Sequence, residues 1–195
     1  LYPDELARFS HVPDEQMRND EYRGGLMHIL PEFASFASPA WRQAGCRYID
    51  AVIDAVEAHP QSARVVGYMI NTGCTGEGIL WGHQEGLYGD YSQPAKEAFR
   101  TWLRENYDTD AALRQAWQER DVSAATAEPP SVVDRCRSSL GEVRDPAKDR
   151  RAIDYDLFQS NLVVDNLLLW NGHARKRLGS SKLLGCFYGY CLWQS

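Results

Sequence analysis

Apolar and polar positions alternate along this chain in two manners: long stretches at helical spacing, and two short unbroken apolar runs. Ser38 and Pro39 read as an N-cap and a first helical position. Trp41, Tyr48, Ile49, Val52, Ile53 and Val56 then recur at helical spacing until Pro60 stops the helix. "RVVGYMI", 64–70, is apolar without alternation, the pattern of a strand buried on both faces in a parallel sheet. Ser92 and Pro94 open a second helix with Ala95, Phe99, Trp102 and Leu103 on one face, and Thr109 caps a short third one ending near 118. From 119 to 144 the periodicity lapses, and Pro129–Pro130 with scattered charge predicts a loop or insertion. Asp145–Pro146 opens a long helix whose inner side is marked by Ile153, Leu157, Val164 and Leu168. Lys176 and Arg177 suit its last turn, and Gly179 suits the residue that ends it. "KLLGCFYGY", 182–190, is a second buried-type strand, whereas the first thirty residues are polar and irregular.

Helix, strand, helices with an insertion, helix and strand make an α/β order with parallel strands. Ligands in such folds bind beyond the carboxyl ends of the strands. The turn "NTGCTGEG" follows the first strand and Tyr188–Tyr190 closes the second, so both are expected on one face.

Composition narrows the classes. The 195 residues carry a net charge of −6 with no basic stripe, which argues against a nucleic-acid partner. No apolar run approaches the ~20 residues of a membrane helix, so no membrane role is expected. "LYPDELARF" lacks the layout of a secretory leader, so the compartment stays open, and it lacks an initiator Met, as expected of a start inside a longer gene product. The five cysteines, Cys46, Cys74, Cys136, Cys186 and Cys191, show neither an even count nor zinc spacing, so reduced thiols are expected and no metal or other cofactor is called for. Six Trp, ten Tyr and six Phe fill a core and also suit sugar-binding clefts, where ring faces meet pyranose C–H groups.

The glycine turn admits three chemistries. Gly73, Gly76 and Gly78 reverse the order of the dinucleotide fingerprint, and no Gly-Lys-Ser/Thr follows, so phosphate cradling is the weakest. A structural turn with Glu77 as a solvated acid is the plainest. General acid–base catalysis is the third: small neighbours let a substrate approach Glu77, and aromatic walls such as Trp81 raise a carboxyl pKa. Glu85 is a rival acid, and His83 with Glu85 lacks a second ligand pair. Asp90 is placed to help start the second helix. Trp81 and Tyr88 suit a sugar subsite or ordinary packing, His28 a cleft or the surface, and Trp102, Trp117 and Trp170 the core.

The succession "SFASPAWR", "VVGYMINTGCTGEG", "DYSQPAKEAFRTWLRENYDTDAALRQAW" and "GCFYGY" resembles the clan-A glycoside hydrolases, β-galactosidase-like enzymes around family 42 above all. "YPDELARF" resembles the segment after their third barrel strand, and 119–144 is the part least like them. The resemblance implies an α/β fold: a partial (β/α)8 TIM-barrel segment, about strands four and five with flanking helices, covering 1–195 as one piece of a catalytic domain with an insertion at 119–144. It implies a retaining, exo-acting β-galactosidase-like hydrolase with a carbohydrate substrate, Glu77 as general acid/base, and a nucleophile outside this chain. Asn71, Trp81, Tyr188 and Tyr190 are the expected substrate-binding residues. Gly76 stands where the family has Asn just before its acid, and Asn71 lies six residues earlier. The alternatives are a non-catalytic carbohydrate-binding or degenerate barrel protein, and a β-glycosidase for another sugar. A whole barrel takes about 250 residues, so unpaired barrel edges and self-association are expected of this chain alone.

Overall fold

The computed structural model describes residues 6–7, 10–11, 33–72, 87–140 and 143–188. In chain order these form β1 (Leu6–Ala7), β2 (Ser10–His11), β3 (Phe33–Ala34), α1 (Pro39–Glu57), β4 (Gly67–Met69), β5 (Leu87–Tyr88), α2 (Gln93–Asn106), α3 (Asp110–Trp117), α4 (Val132–Cys136), α5 (Arg150–Leu178) and β6 (Leu183–Gly185). The helices begin where short polar side chains can accept from the free N–H groups of a first turn. The Ser38, Ser92 and Thr109 hydroxyls accept from Trp41 N, Ala95 N and Ala112 N. Gly179 ends α5 with φ 59°, a conformation glycine adopts without strain.

β4 and β6 pair in parallel, with Gly67 opposite Leu183, Tyr68 opposite Leu184 and Met69 opposite Gly185. The crossover that parallel pairing requires includes α2, α3, α4 and α5, which lie between the two strands in sequence. A Cβ on Gly67 would come within 2.5 Å of the Leu183 carbonyl oxygen, so the close approach needs glycine there. Two antiparallel pairs, β1 with β3 and β2 with β5, were not expected from the irregular first thirty residues.

Helix α5 is the spine. Its first half packs Tyr155, Phe158 and Leu162 against Phe99 and Leu103 of α2 and Leu113 and Trp117 of α3. Its second half packs Trp170 and Ala174 against Ile53 of α1 and Ile70 beyond β4. Trp41 joins the two clusters, stacked on Phe36 at 4.9 Å and edge-on to Trp170 at 4.8 Å.

Three sequence expectations change. The inner face of α5 is not Ile153, Leu157, Val164 and Leu168: Leu157 and Leu168 are exposed, and the buried face includes Asp154, Gln159 and Asn166. Those polar groups are buried because the surrounding backbone and side chains supply their partners, a fact periodicity does not see. "RVVGYMI" is not buried on both faces: Val66 and Met69 are exposed, because among the described residues β4 has a strand neighbour on one side only. Tyr48, on the expected inner side of α1, is exposed as well.

The described residues of 119–144 form a loop interrupted by α4, yet they are integral to the core, where Val122, Ala124 and Ala127 are buried. With few ladder partners, their carbonyls take N–H groups from helix side chains. Arg114 donates to Val122 O and Arg100 to Ala127 O, both at 2.9 Å, and Arg151 donates to Glu128 O at 3.0 Å. Buried backbone acceptors need such partners.

Candidate functional site

The expected face lies at the carboxyl ends of β4 and β6. Their pairing continues past both strands through Ile70 N to Gly185 O, 2.8 Å. One residue further, the Asn71 side chain crosses over: its Oδ1 accepts from Phe187 N at 2.7 Å. Asn71 therefore ties the two strand ends together, and the exposed Tyr188 follows directly. At the amino end, Lys182 Nζ donates to the Ser62 and Val65 carbonyls, each at 2.8 Å, holding β6 beside the turn that leads into β4.

Beside β4 a cleft of ≈ 310 Å³ opens between the strand, α1 and Trp170 of α5. Trp41, Tyr48 and Tyr68 contribute aromatic walls, and Asn71 and Thr72 contribute its polar end. The Thr72 hydroxyl is buried with no hydrogen-bond partner among the described residues.

Of the residues singled out from sequence, Asn71 and Tyr188 are brought to this face. Glu77, Trp81 and Tyr190 lie outside the described residues, as do His28, His83, Glu85, Cys74 and Cys191. Asp90 is buried, and its Oδ1 accepts from Ser92 N at 2.9 Å at the start of α2, as expected. Tyr88 lies with its ring 5.2 Å from the Arg135 guanidinium, its hydroxyl shares a hydrogen bond with the Cys136 thiol, and burial pushes its pKa up to about 12. Trp117 and Trp170 are core residues, and Trp102 packs against the core. Among the described residues no three His, Cys, Asp or Glu side chains cluster as metal ligands, and no helix is long and apolar enough to cross a membrane.

Sequence reasoning missed a polar cluster beneath the start of α2. Arg135 of α4, its side chain fully buried, donates from Nη1 to the Gly89 carbonyl at 2.5 Å and from Nη2 to Gln159 Oε1 at 2.7 Å. Gln159 Nε2 donates to the same carbonyl at 2.5 Å, and the Tyr155 hydroxyl donates to the Asp90 carbonyl. The Gly89–Asp90 peptide is cis. Burial pushes the Tyr155 phenol well above its ordinary pKa, and the Asp90 carboxylate adds to that shift. Nothing in "VVDRCR" marks its first arginine as buried, since the partners come from 24 and 46 residues away.

Over residues 11–176 the chain matches the model of glycoside hydrolase family 42, described as β-galactosidase. The crystal structure of β-galactosidase from the psychrophilic Marinomonas ef1 is similar at TM-score 0.53 and 22% identity, covering 77% of this chain and 20% of that one. That likeness is one of fold, and this chain spans a fifth of that structure's length. No curated protein matches this chain. The family and its structural neighbour imply a (β/α)8 barrel, of which the described residues form a helix-rich part. With most of its length covered by the match, the chain belongs to the β-galactosidase family 42 of the glycoside hydrolases.

Proposed function

We propose that this chain is the part of a retaining, exo-acting β-galactosidase that carries its general acid/base, Glu77. In this reading β4 and β6 are the fourth and fifth barrel strands. Asn71, Trp81, Tyr188 and Tyr190 surround the sugar, and the nucleophilic carboxylate comes from outside 1–195. The observation that carries it is the parallel pair whose carboxyl ends are joined by Asn71, six residues before Glu77, in a chain of this family.

The chemistry needs two carboxyl groups about 5–5.5 Å apart. Glu77 gives its proton to the glycosidic oxygen as the nucleophile bonds to the anomeric carbon and the aglycone leaves. Glu77, now a carboxylate, takes a proton from water, which attacks the same carbon and releases the nucleophile. The glycines around Glu77 leave room for the sugar, and no cofactor enters either step.

Glu77→Gln in the full-length protein tests this on aryl β-galactosides. Hydrolysis of those with poor leaving groups is expected to fall about 10²–10⁴-fold. A dinitrophenyl galactoside, whose aglycone leaves unprotonated, is expected to form the glycosyl intermediate almost normally. Azide, which needs no base, is expected to resolve that intermediate as the β-galactosyl azide. Unchanged turnover of every substrate sinks the assignment. Gly76, in the place of the family's Asn, favours one second reading: a barrel that binds carbohydrate without cleaving it. Saturable galactoside binding with no turnover on any leaving group is its signature. Activity on another β-glycoside keeps the mechanism and changes only the sugar.

A further inference from the structure

Asn71 is fixed at one end of its amide and open at the other. A backbone N–H needs an acceptor, so the atom that meets Phe187 N at 2.7 Å is Oδ1, and the amide nitrogen is turned away from it. Asn71 is exposed, and among the described residues its Nδ2 has no hydrogen-bond partner. The bond that orients it also ties the carboxyl end of β4 to that of β6, where parallel strands place their ligands.

Thr72 adds a second open group. It is 5% exposed, its hydroxyl has no hydrogen-bond partner among the described residues, and it lines the same cleft as Asn71. A buried hydroxyl left without a partner is costly, so this end of the cleft is shaped to receive a polar group. The rest of the lining narrows what that group belongs to. None of the described lining residues carries a formal charge, which leaves an ion without a counter-charge. Trp41, Tyr48 and Tyr68 supply ring walls, and Asn71 and Thr72 supply hydrogen bonds. That combination suits a neutral ligand with C–H faces and hydroxyl groups, as a sugar has.

Resting on the reading of this chain as part of a β-galactosidase, we propose that the polar end of the cleft is a sugar subsite. Asn71 Nδ2 donates to one hydroxyl oxygen of the bound glycoside, and the Thr72 hydroxyl bonds to another. Both are specificity-determining residues, and neither role depends on which carboxylate is the acid.

The test removes hydroxyls from both sides of the contact, in the full-length protein. Asn71→Asp keeps an oxygen for Phe187 N and replaces the donor by an acceptor. On a nitrophenyl β-galactoside its kcat/KM is expected to fall about ten- to a hundredfold, at an unchanged urea midpoint. Parent and variant are then compared on the 2-, 3-, 4- and 6-deoxygalactosides. On one of these the gap is expected to close to under about threefold, because the oxygen that Nδ2 meets is already absent. Thr72→Val, which exchanges a hydroxyl for a methyl, is expected to close its gap on a different one. No fall in Asn71→Asp, or the same fall on every substrate, overturns the proposal, since a merely structural Asn71 scales them all alike. Should Asn71→Asp not accumulate as folded protein, Thr72→Val decides in its place by the same reading. If the parent protein turns over no galactoside, calorimetric binding of the same sugars replaces kcat/KM. A parent that neither cleaves nor binds a galactoside ends the β-galactosidase reading, and the subsite falls with it. A parent that cleaves galactosides, with Asn71 and Thr72 coupled to no hydroxyl, keeps that reading and loses only the subsite.

Discussion

Asp154 shows how much one residue can hold. Its carboxylate is inaccessible to solvent, yet it accepts from the Tyr107 hydroxyl at 2.6 Å and Trp117 Nε1 at 2.7 Å, with Arg150 Nε at 2.8 Å. Three elements, α2's C-cap, α3 and α5, meet on that one side chain. Asp154→Ala leaves the Tyr107 and Trp117 donors without their acceptor and the partly exposed Arg150 guanidinium without its carboxylate. It is expected to cost about 3–5 kcal/mol, read as a fall in the urea midpoint at unchanged slope. The same cluster predicts a pH effect. Burial first, and then the bond to Asp154, pushes the Tyr107 phenol up to about 12. An unfolded tyrosine titrates near about 10. The folded chain therefore keeps a proton that the unfolded chain releases. The stability this carries is whole below pH about 10 and drains as pH rises toward about 12. Circular dichroism across that window is expected to show a steeper loss for the parent than for Tyr107→Phe.

At the scale of elements, local chemistry was legible and partnership was not. The caps at Ser38, Ser92 and Thr109 could be read because a cap needs only its own next few residues. Ser92→Ala, with the hydroxyl buried, is expected to cost about 1 kcal/mol in chemical denaturation, since Ala95 N then loses its acceptor. The face of α5 needed its partners to be known. Apolar residues lie on more than one side of it, and the polar ones that turn inward do so because Phe36 O, Gly89 O and the Tyr107 hydroxyl wait there. Gly45 makes the same point on α1. Alanine has the better helix propensity by about 1 kcal/mol. A Cβ at Gly45, however, would fall 2.5 Å from the Trp170 ring, whose Nε1 donates to Arg42 O at 3.1 Å. Gly45→Ala is therefore expected to destabilise by about 1–3 kcal/mol, against its propensity, as α1 is pushed off α5. The urea midpoint is again the readout.

For the whole molecule, the described strands come only in pairs. Val66, Met69 and Leu183 on the parallel pair are exposed, and so are Leu157, Leu168 and Leu169 on α5. Open strand edges and apolar stripes of this kind invite pairing with other chains. The 195-residue chain by itself is expected to self-associate with rising concentration in sedimentation velocity, and mild detergent is expected to reverse it. A monodisperse monomer at every concentration would count against unsatisfied edges.

The sequence by itself determined what depends on near neighbours and on composition. That covers three helix starts, the end of α5 at Gly179, two short strands in parallel order, and the family that the match over 11–176 assigns. It also pointed to Asn71 and Tyr188 as strand-end residues, because a strand's end is a local event. Tertiary structure alone decided which side of α5 is buried and that Asn71 reaches across to Phe187. It also decided that Arg135, in a stretch that reads as an insertion, is sealed against Gly89. Each of these pairs residues far apart in the chain, 116 positions in the case of Asn71 and Phe187. A buried polar group is tolerated only where its partner arrives, and the partner's arrival is a property of the packed molecule.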